Sequence, residues 1–453
     1  MANKKTKTVL GEQQAEALDR IRSFLDSEGG DAFCLYGSAG TGKSFMIKRI
    51  IELVKKKKMQ YCLVAPTHKA TLVMTQYTGE MAETLHKLLA LSPNLEILKL
   101  DLKQLEFQSK SSECIPAHGV VICDEASMIN DDLYDIIMEK CSEMGTKVIF
   151  CGDIKQLQPV EGRHYSKVFS LDKSFELTKI YRQQDGSALA PLLLGLRDHP
   201  IIDIAPAEAE EGSVYVYDDV RAYADKMVEC FQDGIKKRDV LYAKALAFTN
   251  ERVETYNRVL HKLTFGDEPF YKGEILTAYG NFQGKSMQFY NSMDYIIDDK
   301  PYTTDAYIGD AGIRMKCHVL RLFDPLMRSS DIVCLLDNNN DDALFQELAE
   351  CIDNTRLMAI SSTGKARSMM WRRYFNMTKS IAFPRDVYLG DRMIIKKSLD
   401  YGYAITVHKS QGSSIKNTFV DLKDIRKQKN PDELRQLEYV ALSRASGDVF
   451  ILK

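Results

Sequence analysis

The sequence predicts an α/β protein built on parallel sheets, and three stretches carry that prediction. Residues 33–44 (FCLYGSAGTGKS), 119–127 (GVVICDEAS) and 147–160 (KVIFCGDIKQLQPV) each run a short apolar strand into a polar turn. Strands buried on both faces read as continuous apolar runs, and ligands gather at their carboxyl ends.

In the first stretch Gly37, Gly42, Lys43 and Ser44 complete the pattern G-x-x-x-x-G-K-[ST]. In that geometry the backbone N–H groups of Ser38, Ala39, Gly40, Thr41, Gly42 and Lys43 converge on phosphate oxygens. Lys43 reaches the terminal phosphates and Ser44 binds Mg²⁺. A Gly/Ser loop without a ligand is the plain alternative. The apolar strand before the loop and Phe45-Met46-Ile47 after it argue against that. The chain binds a nucleoside triphosphate.

Length and composition set the frame. The 453 residues suffice for about two to four domains, and 45% apolar with 27% charged residues is ordinary for a globular protein. No apolar run approaches the roughly 18 residues that a membrane span needs, and the N-terminus lacks a signal-peptide core. The 10 cysteines form no C-x-x-C pair and sit singly in apolar strands. They are expected to be buried free thiols in a reducing cytosol, not a zinc site. A net charge of −2 means that nucleic-acid contact has to come from a local cleft.

Along the chain, Gln14, Ala17, Leu18, Ile21 and Leu25 recur at helical spacing, and Gly29-Gly30 ends that helix. The lysines at 55–58 read as a solvated helix end. Residues 61–65 (YCLVA) form a second strand with Pro66, Thr67, His68 and Lys69 at its carboxyl end, where they suit phosphate or sugar contacts. Thr84, His86 and Lys87 make a similar, weaker cluster. Residues 92–117 break the rhythm and read as a small insertion, a hairpin.

At the end of the VVIC strand, Asp124 would hold Mg²⁺ and Glu125 would polarise an attacking water. A lone Asp-Glu pair is ordinarily just surface; its place beside a phosphate loop supplies the role. Gln156 offers a neutral amide that can sense a terminal phosphate, and Arg182 a cation for transition-state charge, with Tyr181 able to stack on a base.

The blocks GSAGTGKS, APTHKA, CDEAS, GDIKQLQPV and YRQ occur in the order and spacing of superfamily 1 helicases. ALAFTNERVETYN (245–257), YAITVHKSQGSS (403–414) and EYVALSRAS (438–446) resemble the late motifs of that superfamily. The chain is identified as a member of its RecD-like, 5′-to-3′ branch, the resemblance running from about Leu10 to the C-terminus.

The resemblance implies two RecA-like parallel-sheet domains, residues 1–185 and residues 186–275 with 400–453. It places a strand-splitting pin at about 92–117, and an SH3-like β-barrel with a tower or hook excursion at 276–399. It sets Gln14 against the adenine and keeps Lys43, Ser44, Asp124, Glu125 and Gln156 in the roles above. Arg182 and Arg444 become arginine fingers, and the Gln411-Gly412 turn couples nucleotide to nucleic acid. Strand contacts are implied for Pro66, Thr67, His68, Thr84, His86, Thr249, Asn250, Thr406, His408 and Lys409.

The activity so implied is ATP- and Mg²⁺-dependent 5′-to-3′ DNA unwinding in phage replication or recombination. The expected setting is a cytoplasmic monomer on single-stranded and on forked or tailed duplex DNA, with a phage single-strand-binding or recombination protein as a further partner.

Some positions depart from the branch or carry no motif. Ser410 stands where close members often have Ala, and Ala441-Leu442-Ser443 where a close member has Gly-Val-Thr. Phe107 is the only aromatic of the insertion and the guess for a pin tip, since a wedge needs an apolar side chain. Residues 337–342 (DNNNDD) lack the Gly and Glu of a calcium loop and read as a tight turn. Trp371, in MMWRRYF, either stacks on a strand or packs a core. Two other functions remain in view: a translocase that unwinds little, and a P-loop phosphotransferase or signalling NTPase whose turnover ignores DNA.

Overall fold

The structure is a computed structural model that describes residues 10–29, 31–93, 107–109, 115–157, 165–179, 187–198, 204–210 and 212–453. Two compact units divide the chain. Unit 1 holds Met1–Ser92, Ser109–Ile202 and Arg435–Ser443; unit 2 holds Pro93–Gln108, Asp203–Leu434 and Arg444–Lys453.

Unit 1 begins with helix α1 (Glu12–Asp26), strand β1 (Ala32–Gly37), α2 (Lys43–Lys56), β2 (Tyr61–Ala65), α3 (His68–Thr78), β3 (Ala82–Thr84) and the short α4 (Leu85–Leu88). Strands β4 (Leu91–Pro93) and β5 (Phe107–Ser109) pair with each other. The expected insertion is thus a two-stranded excursion at its base; the rest of it lies outside the described residues. Strand β6 (Val120–Cys123), α5 (Asp131–Glu143), β7 (Lys147–Gly152), β8 (Ser174–Leu177) and α6 (Leu189–Asp198) follow.

The main sheet of unit 1 runs β3-β2-β6-β7-β1-β8, with parallel pairing throughout. Alternation along β1 sends Phe33 and Leu35 to one face, against Ile47, Ile50 and Val54 of α2. Ala32 and Cys34 go to the other, with Val148, Phe150 and Ile137. Both faces are covered, which is why the inner strands β1, β2, β6 and β7 are mostly apolar. Burying each large side chain contributes about 1.5–3 kcal/mol. Strand order makes the carboxyl ends of β6, β7 and β1 neighbours, and the phosphate loop opens there.

Unit 2 contains β9 (Val214–Tyr217), α7 (Val220–Lys237), β10 (Ala243–Ala247) and α8 (Asn250–Thr264). An antiparallel region follows: β11 (Ile275–Ala278), β12 (Phe282–Gln283), β13 (Gln288–Phe289), β14 (Asp294–Ile297), β15 (Tyr302–Ile308), β16 (Ile313–Asp324) and β17 (Ser329–Leu336). Helices α9 (Asp342–Ser361) and α10 (Gly364–Lys379) precede β18 (Val387–Leu389), β19 (Arg392–Ile395) and β20 (Leu399–Tyr401). The chain closes with β21 (Ala404–Thr406), β22 (Asn417–Asp421), α11 (Leu422–Ile425), α12 (Pro431–Ser443) and β23 (Val449–Leu452).

Here β21-β10-β22-β23-β9 form a second parallel sheet. A curled antiparallel sheet, β15-β16-β14-β11-β20 with β17 on β16, is inserted between α8 and β21. Helices α9 and α10 cover it through Phe345, Leu348, Ile352 and Met377. Trp371 lies on α10, half-buried, with ring centroids 5.5 Å from Tyr374 and 6.0 Å from Phe375. The 337–342 stretch is a turn: Asn340 bonds to both backbone groups of Lys316, and Asp341 caps α9.

Candidate functional site

The phosphate loop is shaped by its neighbours. A Cβ on Gly37 would lie 2.5 Å from the Leu177 carbonyl oxygen and 2.8 Å from Thr41 Oγ1, so only glycine fits there. Gly42 (φ 87°) turns the chain into α2 in the left-handed region. The Lys43 ammonium donates to the carbonyls of Gly37 (2.6 Å) and Ser38 (3.0 Å) and lies 4.0 Å from Asp153 Oδ2. Ser44 is exposed on the first turn of α2.

Beside the loop, at the end of β6, Asp124 Oδ1 accepts the Glu125 N–H at 2.9 Å. Glu125 itself adopts φ 52°, a left-handed conformation that is costly for a residue with a Cβ. Burial, and then the adjacent Glu125 charge, push the Asp124 carboxyl up to about 7, with the Glu125 N–H and Lys43 pulling the other way. A carboxylate so burdened suits a hard cation, and oxygen donors from Asp124 and Ser44 are the kind Mg²⁺ takes. The Gln156 amide oxygen is buried with no hydrogen-bond partner among the described residues, leaving it an acceptor for a donor brought by the site's contents.

Two residues that sequence reasoning had not placed in the site complete it. The buried Asp153 sits at the end of β7, and its Oδ2 receives the Tyr439 hydroxyl proton at 3.0 Å. The same hydroxyl oxygen accepts the N–H of Ala39, in the phosphate loop, at 2.9 Å. Both lie inside quoted blocks, GDIKQLQPV and EYVALSRAS, but an isolated Asp or Tyr in a block does not announce a bond across the sheet.

Gln14 is buried on α1, and its Oε1 accepts the Gly11 N–H at 3.1 Å, closing the first turn of the helix. The neighbouring Gln13 reaches β8, bonding to Thr178 through both ends of its amide. Arg182 and Tyr181 lie outside the described residues.

The residues implied as strand contacts occupy matching positions in the two units. In unit 1, β2 and β3 are parallel neighbours, and a threonine at or just past the end of each caps the next helix: Thr67 Oγ1 accepts from Ala70, Thr84 Oγ1 from Lys87. Pro66 precedes the first cap. His68 and His86 each follow a cap by one or two residues. Burial holds both imidazoles below their ordinary range, with each other's charge and that of Lys87 adding to the effect at His68.

In unit 2, β10 and β21 are parallel neighbours with Ala247 opposite Thr406. Thr249 caps α8, accepting from Arg252, and Asn250 is exposed at the first helical position. Thr406 Oγ1 accepts the Lys409 N–H at 3.3 Å. Thr249 also donates to Asp424 Oδ1 (2.9 Å), a carboxylate that takes the Phe248 and Thr249 N–H groups as well. Nothing in the sequence marks Asp424.

Burial lowers His408, against a smaller opposing pull from Glu433. Lys409, implied as a strand contact, has its ammonium 3.4 Å from the centre of the Tyr279 ring. The Gln411-Gly412 turn has Gly412 at φ 72°, and buried Arg444 points its Nη1 toward the Ser413 carbonyl at 3.5 Å.

Comparison with known proteins agrees with this geometry. The AAA domain family matches residues 9–219, and the UvrD-like helicase C-terminal domain family matches residues 401–452. The ATP-dependent DNA helicase dda of Enterobacteria phage T4 is 27% identical over 443 residues, covering 91% of this chain and 92% of that protein. The ATP-dependent RecD2 DNA helicase of Deinococcus radiodurans is 31% identical over 181 residues, 40% of this chain and 23% of that protein. Among solved structures, Pif1 helicase from Candida albicans superposes over 98% of this chain and 94% of that chain, with TM-score 0.52 and 18% identity. That last likeness concerns the fold alone.

Proposed function

We infer, this chain being a Dda-like superfamily 1 helicase and an ATP-dependent DNA helicase, that it steps 5′ to 3′ along single-stranded DNA and opens duplex ahead of it. One observation carries the reading: Lys43, Asp124 and Asp153 converge at three adjacent strand ends, while Thr-capped helix starts recur on neighbouring strands of both units.

In this reading the loop amides and Lys43 bind the phosphates, and Gln14 lies against the adenine. Ser44 and Asp124 hold Mg²⁺, which neutralises charge on the phosphates. Glu125 orients the water and Gln156 senses the terminal phosphate. Arg182 and Arg444 supply cations to the transition state, and the Gln411-Gly412 turn relays the nucleotide state to the strand contacts. Pro66, Thr67, His68, Thr84 and His86 grip the strand from unit 1. Thr249, Asn250, Thr406, His408 and Lys409 do so from unit 2, by hydroxyl, amide and imidazole contacts to phosphate and base.

Residues 92–117 would act as the pin, and the curled sheet would be the SH3-like element. A monomer working in a phage-infected cytoplasm, alongside a single-strand-binding or recombination protein, fits the same reading. The test is steady-state ATPase with and without single-stranded DNA, together with unwinding of duplexes bearing a 5′ or a 3′ tail. Stimulation with only the 5′-tailed duplex opened is expected. Stimulation with neither opened would favour a translocase, and opening of only the 3′-tailed duplex would reverse the polarity.

A further inference from the structure

Tyr279, at the end of β11, lies in the curled sheet of unit 2 and far from any helicase motif in sequence. It is 8% exposed, and two ammonium groups approach its ring: Lys409 Nζ at 3.4 Å and Lys397 Nζ at 4.5 Å from the centroid. The backbone braces this arrangement, since the Tyr279 N–H donates to the Ser398 carbonyl and Thr406 Oγ1 holds the Lys409 N–H. Lys397 is already engaged, donating to Asp400 at 2.6 Å and to Glu254 at 3.2 Å. Among the described residues no ion pair joins Lys409 to a carboxylate, and its ammonium lies against the aromatic face.

We propose that Tyr279 is a positioning residue for Lys409, holding its amino group against the ring at the edge of the strand path until a DNA phosphate takes it; where that group is uncharged in the free protein, arrival of the strand draws a proton from solvent. The inference rests on the assignment of Lys409 to the strand contacts.

The balance of charge around Lys409 explains the coupling. Burial foremost, then Lys396 and Lys397 from the segment after β19, work against its charge, while Asp386 before β18 and Asp400 in β20 favour it. The sum brings the ammonium down to about 7. Burial first, and then the charges of Asp400, Glu254 and Asp294, keep the Tyr279 phenol protonated. The ring's negative face favours the cation. An anionic phosphate favours it more strongly, so the lysine gains a proton from solvent when the strand arrives. The free amine therefore binds less well, and strand affinity declines as pH rises through the free-state value.

The experiment measures binding of a fluorescent oligothymidylate to the full chain, at constant ionic strength, between about pH 6 and pH 9. Wild type should lose affinity as pH rises through about 7. Lys409→Arg should flatten that profile, because a guanidinium keeps its charge throughout. Tyr279→Phe should behave as wild type. Tyr279→Leu, which removes the ring face but not the burial, should move the inflection to lower pH and weaken binding about tenfold near neutrality. An unchanged profile in Lys409→Arg, or a wild-type profile in a folded Tyr279→Leu, overturns the proposal. A Tyr279→Leu chain that does not fold leaves the Lys409→Arg comparison to decide it. Absence of any strand binding by wild type would instead overturn the assignment of these residues to DNA.

Discussion

Tyr439 and Asp153 are joined by a 3.0 Å hydrogen bond, and the same phenol oxygen accepts the Ala39 N–H of the phosphate loop at 2.9 Å. One hydroxyl thus ties the loop to the carboxylate that faces Lys43. Tyr439→Phe leaves a buried acceptor and a loop N–H without their partner, which should lower unfolding free energy by about 1–3 kcal/mol. Urea denaturation reads this, and an unshifted midpoint would show that the two bonds add nothing.

Glu125 is held at φ 52°, so strain and chemistry should separate there. Glu125→Gln should lower the ATPase kcat by about 10²–10⁴-fold while nucleotide affinity persists, because the base is lost and the site is not. Glu125→Gly should be equally inactive yet more stable by about 1 kcal/mol, since glycine accepts that φ without strain. A Gly variant less stable than wild type would contradict the strain argument.

With Asp124 as the proposed Mg²⁺ ligand, its burdened carboxyl would make Mg²⁺ binding depend on pH. Its folded value of about 7 against an ordinary 3.8 means that the native state holds a proton the unfolded chain has released. Stability from this group is therefore lost as pH rises between those values. A divalent cation reverses the penalty by pairing with the carboxylate, and competes with the proton below the folded value. Mg²⁺ should raise the melting temperature more at about pH 8 than at about pH 6, and Asp124→Asn should abolish the difference. Equal shifts in wild type at both pH values would count against Asp124 as the ligand.

The three threonine caps should divide by partner. Thr67→Val and Thr84→Val each remove a helix cap, at about 1 kcal/mol. Thr249→Val removes a cap and also a donor to Asp424, so its loss should be larger, by about another 1 kcal/mol. Thr249→Ser should restore both stability and strand affinity. Rescue by Ser of stability alone would separate folding from DNA contact.

Gly37→Ala tests the shape of the loop. The new Cβ would press on a backbone carbonyl at 2.5 Å, which cannot swing away as a side chain would. A loss of about 1–3 kcal/mol is expected, with ATP binding lost in parallel. Wild-type calorimetric titration of ATP into the variant would show that the loop has room to move.

Much of the site was legible beforehand, for reasons of chemistry. The strand at 61–65 and the turns after 37, 123 and 152 lie where the sequence predicts them, because a strand covered on both faces has to be apolar and a phosphate loop has to be rich in glycine. The Thr and His residues at the ends of β2, β3, β10 and β21 could be named because they fall in blocks that resemble helicase motifs. Other features were not legible. Asp424 is one carboxylate among many until the fold sets it under Thr249, and the half-buried packing of Trp371 on Tyr374 and Phe375 depends on how α10 meets the sheet.

The sequence by itself determined the parallel-sheet class, the phosphate loop, the Asp-Glu pair and the positions of the helicase-like blocks. Each is a local pattern whose physics is complete within a few residues: periodicity, glycine at a tight turn, charge at a strand end. Only the tertiary structure decided that Tyr439 joins Ala39 to Asp153, and that Lys409 rests on Tyr279 rather than on a carboxylate. Those pairs are distant along the chain. Residue type fixes what a side chain can bond to, but only the packing of one element on another fixes which partner is within reach.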